Sequence, residues 1–167
     1  NADLFLFQDE FFMSSSERVI DFCKELHMSN LGVDWKAFGR VNLTNQEMME
    51  RMADTGCLEL RFGIESASDH VLKKTRKGFE AAEAVGIVSE AVHIFDRVDA
   101  FYVWGFPFET MTDFNQSLFQ MISFRMMGVR ILPSLLCFLP QTDIFFEYGN
   151  NGQSLEFCQD LFPEYML

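Results

Sequence analysis

The sequence predicts an α/β fold built on a parallel sheet. Short apolar runs alternate with stretches of helical periodicity along most of the chain. The connections between them are short, a pattern that requires parallel strands joined by right-handed helical crossovers. The 167 residues are enough for one domain and too few for two of ordinary size. Two architectures satisfy this pattern, an open doubly wound sheet and part of a (β/α) barrel.

The elements follow in order. Asn1-Ala2 reads as the remnant of a cleaved tag, so the domain is expected to begin at Asp3. Asp3–Gln8 is a short apolar run suited to a parallel strand buried on both faces. Ser14 with Glu17 reads as a capping box for a helix whose inner stripe is Val19, Phe22, Cys23 and Leu26. A second strand is expected at Trp35–Val41. Thr44 with Glu47 then opens a helix carrying Met48, Met49 and Met52, and Gly56 ends it. Leu58–Ile64 is the third strand. A short helix around Ser68–Lys74 follows, then a longer one over Phe79–Val92 with Ala81, Ala84, Val85 and Val88 on one stripe. Val98–Trp104 is the fourth strand. Thr110 and Asp113 cap the next helix, with Phe114, Leu118, Met121 and Ile122 expected inward. Ile131–Phe138 is the fifth strand, interrupted early by Pro133. The domain is expected to run to Phe146, and 147–167 reads as an irregular aromatic tail.

Composition excludes several functions. Lys and Arg total 13 against 25 Asp and Glu, a net charge of −12, so there is no general attraction for nucleic acid or an anionic membrane. Apolar runs are too short to span a bilayer, and no signal peptide is visible. The 20 phenylalanines and 10 methionines read as a large core, or in part as a surface facing a neighbour. Cys23, Cys57, Cys137 and Cys158 lack any CxxC or zinc-ribbon spacing, and Cys23 and Cys137 read as buried thiols. Low cysteine content without a signal segment fits a reducing cytoplasm. His27, His70 and His93 fall in expected helices without HExxH spacing or triad partners. GxSxG, Walker and GxGxxG motifs are absent.

In a parallel α/β fold, function gathers beyond the C-terminal ends of strands. Those positions hold Asp9-Glu10, Arg40, Gly63-Ile64-Glu65-Ser66, Gly105-Phe106-Pro107-Phe108-Glu109-Thr110 and Leu139-Pro140-Gln141-Thr142. Gly63 and Gly105 allow close approach to the backbone. Glu65 and Ser66 suit a ribose or an amine. Arg76 and Lys77 suit a carboxylate, against the plainer reading of a solvated basic stretch. Glu109 suits a ligand or, equally, the N-terminal end of the helix that follows it. Asp9 and Glu10 are candidates or ordinary loop residues.

These strand-end motifs, in this order, resemble the radical S-adenosylmethionine (SAM) superfamily, in particular its branch with an N-terminal cobalamin-binding domain. The resemblance rests on FLFQDEFF (5–12), the strand 35–40, MADTGCLELRFGIESASDHVLKKTRKG (52–78), VWGFPFET (103–110) and LCFLPQTDIF (136–145). Within that branch the chain is similar to anaerobic Mg-protoporphyrin IX monomethyl ester oxidative cyclases and to other Fe–S oxidoreductases. Methylthiotransferases are more distantly similar. The resemblance implies a partial (β/α) TIM-like barrel. It also implies a parent enzyme in which a 4Fe-4S cluster and SAM yield a 5′-deoxyadenosyl radical. A small-molecule substrate is implied, a tetrapyrrole in the cyclase case. By matching position, Glu65 and Ser66 meet the SAM ribose or amino-acid part, and Arg76 or Lys77 holds its carboxylate. Gly105 to Glu109, Pro107 included, pass near adenine, Gly63 lines the site, and Asp9 lies near the amino group.

Three departures qualify this. The cluster motif CxxxCxxC is absent, Phe108 stands where the family often has Gly, and Gln141 does the same. The chain therefore reads as a barrel truncated at its N-terminal βα unit, inactive by itself and with weak SAM affinity. An open edge at Asp3–Gln8 would favour self-association. The competing readings are a complete small α/β binding domain without catalysis, and an interaction module with an exposed apolar patch.

Overall fold

The structure is a computed structural model that describes residues 4–8, 12–139 and 141–148. Asn1-Ala2, expected to be a tag remnant, Asp9-Glu10, Pro140, Cys158 and most of the expected tail lie outside the described residues. The order is β1 (Leu4–Leu6), α1 (Ser16–Ser29), β2 (Asp34–Gly39), a 3-10 turn (Val41–Leu43), α2 (Gln46–Asp54), β3 (Cys57–Glu65), α3 (Asp69–Lys74), α4 (Ala81–Ile94), β4 (Arg97–Trp104), α5 (Met111–Met126), β5 (Arg130–Leu135) and α6 (Asp143–Tyr148).

All four strand pairings are parallel and the spatial order is β1-β2-β3-β4-β5, the order of the chain. That order decides between the two architectures. A doubly wound sheet reverses direction at a switch point, whereas this one advances by one strand at every crossover. The result is a half-barrel, with its helices packed on the convex face and, among the described residues, no helix over the concave face.

Alternation along the strands divides the residues between these faces. Trp35, Ala37, Leu60, Phe62, Ile64, Val98, Ala100 and Tyr102 point outward and are buried beneath the helices. Each large side chain among them contributes roughly 1.5–3 kcal/mol of burial. From the helices come Val19 and Cys23, the three methionines of α2, and Ala84, Val88 and Ala91 of α4. At one end Phe7, Phe12, Phe22 and Trp35 form a mutually packed set with ring centroids 4.8 to 5.7 Å apart. The Trp35 indole nitrogen donates to the Thr55 carbonyl at 2.9 Å, so its one polar atom is satisfied.

Several expectations need correction. The cap of α1 is Ser15 and that of α2 is Asn45, one residue later than Ser14 and Thr44. Asn45 reaches the Met48 amide, while the Thr44 hydroxyl turns back to the Arg40 carbonyl. β2 ends at Gly39 because Val41–Leu43 form the 3-10 turn. α4 starts at Ala81 behind a Glu80–Glu83 capping box, and Val85 faces solvent. β1 is exposed along its length rather than buried on both faces, since among the described residues it is an outer strand. β5, the other outer strand, ends at Leu135. Cys137 therefore lies beyond it and is exposed, not buried. Pro133 fits that edge position. Asp143–Tyr148 form a helix that was not expected and that extends two residues into the expected irregular tail. α5 presents Asp113, Ser117, Gln120 and Phe124 inward, leaving Leu118 and Ile122 about half exposed.

Candidate functional site

The concave face is organised in rows set by strand register. One row runs Lys36, Glu59, Arg97 across β2, β3 and β4. The next runs Phe38, Arg61, Asp99, Arg130 across β2 to β5. In each row a buried carboxylate lies between cations on its own or neighbouring strands, the cross-strand pairing that favours opposite charges. Glu59 pairs with Lys36 at 3.3 Å, Arg61 at 2.5 Å, Arg97 at 3.4 Å and Arg130 at 3.7 Å. Asp99 accepts two hydrogen bonds from Arg130 and lies 3.6 Å from Arg61. Burial alone would raise the Glu59 pKa. The hydrogen bond and charge of Arg61, then those of Lys36, outweigh it and hold the carboxyl below its ordinary range.

Above this charged floor the strand ends form a rim. At the end of β3 the register with β4 slips between Gly63 and Glu65. This bulge, with Glu65 at φ 68, turns the Glu65 carboxylate over the concave face. There it meets the Lys77 ammonium at 3.0 Å. A Cβ on Gly63 would lie 3.0 Å from the Glu65 carboxylate and 3.5 Å from Lys77, so a side chain at 63 would press on the pair. A cavity of about 660 Å³ opens beside it, lined among others by Arg40, Arg61, Gly63, Glu65, Lys77 and Phe38.

The exit of α3 decides which of the two adjacent bases reaches this cavity. The Lys77 amide donates to the Leu72 carbonyl and the Arg76 amide to the Lys73 carbonyl, with Arg76 at φ 55. This is the Schellman ending, with arginine where glycine is usual. It turns Lys77 toward Glu65, whereas Arg76 lines a separate hollow with Asp69, Glu80 and Glu83.

Ser66 is fully buried. Its hydroxyl bonds that of Ser117 at 3.0 Å and accepts from the Ser68 amide at 3.1 Å. It belongs to a buried polar seam joining the β3 and β4 loops. In that seam Asp113 accepts from the Ser68 hydroxyl, from the Thr110 hydroxyl at 2.7 Å and amide at 2.8 Å, and lies 3.3 Å from His70. Burial would raise the Asp113 pKa; these bonds, Ser68 and Thr110 foremost, drive it well below the usual carboxylate range.

At the end of β4, Gly105 takes φ 90, a backbone shape that suits glycine, and its amide donates to Glu109 at 2.6 Å. The other Glu109 oxygen is buried with no partner among the described residues, and burial raises its pKa. Glu109 can therefore take a further donor or carry a proton. Phe106 is buried, Pro107 is exposed, and Phe106 and Phe108 stack at 5.4 Å. Asp9 lies outside the described residues.

Sequence reasoning singled out Gly63, Glu65 and Lys77, which the fold brings together. It missed Lys36, Glu59, Arg61, Asp99 and Arg130. The available signal was the period-two placement of charges in β3 and β4 between buried Leu60, Phe62, Val98 and Ala100.

The described cysteines do not fit an iron–sulfur cluster. Cys23 and Cys57 are buried in the core, where burial raises both thiol pKa values, and Cys137 is exposed beyond β5. Among the described residues there is no group of three His, Cys, Asp or Glu able to hold a metal ion, and no helix is long and apolar enough to cross a membrane. The cavity at Gly63, Glu65 and Lys77, by contrast, offers an acceptor, a cation and open backbone to a polar organic cofactor.

No family model matches the chain. It is 30% identical over 112 residues to an uncharacterised methyltransferase of Pyrococcus horikoshii, an alignment covering 67% of this chain and 24% of that protein. It thus spans about a quarter of the length of this curated relative. Among solved structures it is similar to the radical SAM methyltransferase TsrM of Kitasatospora setae, solved with cobalamin and a [4Fe-4S] cluster bound. There the TM-score is 0.68 at 13% identity, covering 88% of this chain and 30% of that one. It is also similar to coproporphyrinogen III oxidase (HemN) of Escherichia coli, a radical SAM enzyme, with TM-score 0.63 at 13% identity over 89% of this chain and 36% of that one. At such identities these likenesses establish the fold. The chain is an α/β partial TIM-like barrel of the kind radical SAM enzymes contain.

Proposed function

We propose that this chain is part of a radical SAM enzyme and that the rim at Gly63, Glu65 and Lys77 receives the SAM cofactor. The observation that carries this is the β3 bulge that turns Glu65 onto Lys77 above an open glycine, at the strand end where such a fold places its site. Lys77 would hold the cofactor carboxylate and Glu65 its amine or ribose hydroxyls. The unpartnered Glu109 oxygen would accept from the adenine side. Ser66 would act by fixing the loop through Ser117 rather than by contact. The cluster's cysteines would come from the parent outside this chain. When bound, the cluster and SAM supply a 5′-deoxyadenosyl radical. Cobalamin would come from a further domain of the parent. The parent's reaction is read as that of an Fe–S oxidoreductase of the oxidative cyclase type, acting on a tetrapyrrole. A second reading, methyl transfer, is favoured by the methyltransferase relative.

The test is anaerobic reconstitution of the full-length protein with iron and sulfide, followed by SAM and a reductant. Release of 5′-deoxyadenosine and methionine is expected for radical chemistry, and S-adenosylhomocysteine marks methyl transfer. Glu65→Gln should lower product formation by roughly tenfold or more, the loss of one charge-assisted hydrogen bond. A full-length protein with no three-cysteine motif that consumes no SAM would overturn the proposal.

A further inference from the structure

We propose that the cavity beside the cofactor rim receives an oxyanion of the substrate, a carboxylate or phosphate, on Arg40 and Arg61. The inference rests on the reading of Glu65 and Lys77 as the cofactor end of the site. It names the substrate class that the rest of the cavity fits.

Charge makes the first argument. The chain carries −12 overall, yet this cavity is lined by Arg40, Arg61 and Lys77 against the single carboxylate of Glu65. Lys77 is matched by Glu65 and Arg61 by the floor, but with the floor included six cations, Lys36, Arg40, Arg61, Lys77, Arg97 and Arg130, face three carboxylates, Glu59, Glu65 and Asp99, and this excess is relieved by an anion. The floor does not supply that anion. Its two carboxylates, Glu59 and Asp99, are already shared among Lys36, Arg61, Arg97 and Arg130.

The second argument is geometric. Arg61 is held by its Nε on Glu59, and its guanidinium lies 5.6 Å from the centre of the Phe38 ring. Its terminal nitrogens bond nothing among the described residues, so the fork that binds oxyanions in bidentate fashion is preset and available. Arg40 follows Gly39, the register partner of Phe62, and so lies level with Gly63. It is exposed, and among the described residues nothing pairs with its side chain. Gly63 has no side chain to fill the space between these arginines and the Glu65–Lys77 pair. An anion on Arg40 and Arg61 would thus sit on β2 and β3 beside, and deeper than, a cofactor held at the β3 end.

The test is titration of the isotopically labelled chain with succinate and, separately, with inorganic phosphate at constant ionic strength. The arginine Nε–H signals and the Gly39 and Gly63 amides are followed. Saturable shifts at Arg40 and Arg61 are expected, and the more tightly held probe identifies the group. Arg40→Gln, which breaks no internal bond, should weaken binding about fivefold or more, and Arg61→Lys should weaken it less than Arg61→Gln. Shifts that do not saturate, or an affinity unchanged in Arg40→Gln, would overturn the proposal. So would displacement of the anion by SAM, which would put the cofactor's own carboxylate on these arginines. Saturable anion binding in a chain whose full-length protein consumes no SAM would retain the anion site and remove the cofactor reading. The reverse result would do the opposite.

Discussion

The floor and the rim of the concave face are made from the same strands and have opposite characters. The floor places six charged side chains in two cross-strand rows, each carboxylate buried and shared by two or more cations. The rim has one ion pair on a bulge, Glu65 at positive φ and a Glu109 carboxylate oxygen without a partner among the described residues. Redundant pairing makes the floor a scaffold. Strain and unspent hydrogen-bonding capacity are what the ligand proposed for the rim would take up.

That contrast is sharpest under mutation. Asp99→Ala removes the acceptor of both Arg130 hydrogen bonds, leaving Glu59 alone to serve Arg61, and should cost about 3 kcal/mol in urea unfolding. A cost below about 1 kcal/mol would remove the scaffold role of the floor. Asp113→Asn, in the seam joining the two site loops, should cost about 2 kcal/mol. It should also flatten the acid limb of the stability curve. Glu59 and Asp113 both have lowered pKa values in the fold, so their contribution is complete above the unfolded carboxyl values near ~4. It is lost as pH falls through the folded values, and acid unfolding monitored by circular dichroism checks this. Glu65→Gln should change stability by about 1 kcal/mol or less, since the Glu65–Lys77 pair is partly exposed, while lowering SAM turnover of the full-length protein as expected above. Arg76→Gly should stabilise by about 0.5–1 kcal/mol, because glycine meets the left-handed turn after α3 without strain.

Much of this fold was legible in the sequence because its period was unambiguous. The methionines of α2 at 48, 49 and 52 are all fully buried, as their spacing predicts. The strand–helix alternation gave the parallel sheet but not its strand order, which depends on where each crossover returns. α5 shows where patterning fails. Its inward face is Asp113, Ser117 and Gln120, because these bond Ser68, Ser66 and the Tyr102 hydroxyl, the last at 2.6 Å. An apolar count chose a face rotated toward Leu118 and Ile122, of which Met121 does pack against the core. Asn45 displaced Thr44 as a cap for a similar reason, since two adjacent residues could each serve and only the chain path selects one. Of the rim, Glu65, Lys77 and Gly63 were legible as strand-end chemistry. That Lys77 rather than Arg76 meets Glu65 followed from a left-handed turn no spacing displays.

The central claim is that the rim holds the cofactor and the floor supports it. The most direct test is a structure of the full-length, cluster-loaded protein with SAM bound. The account predicts the amino-acid end of SAM within hydrogen-bonding distance of Lys77 and Glu65, over Gly63, with the floor pairs unchanged. SAM bound away from these residues, for example in the hollow beside Arg76, Asp69 and Glu80, would contradict it.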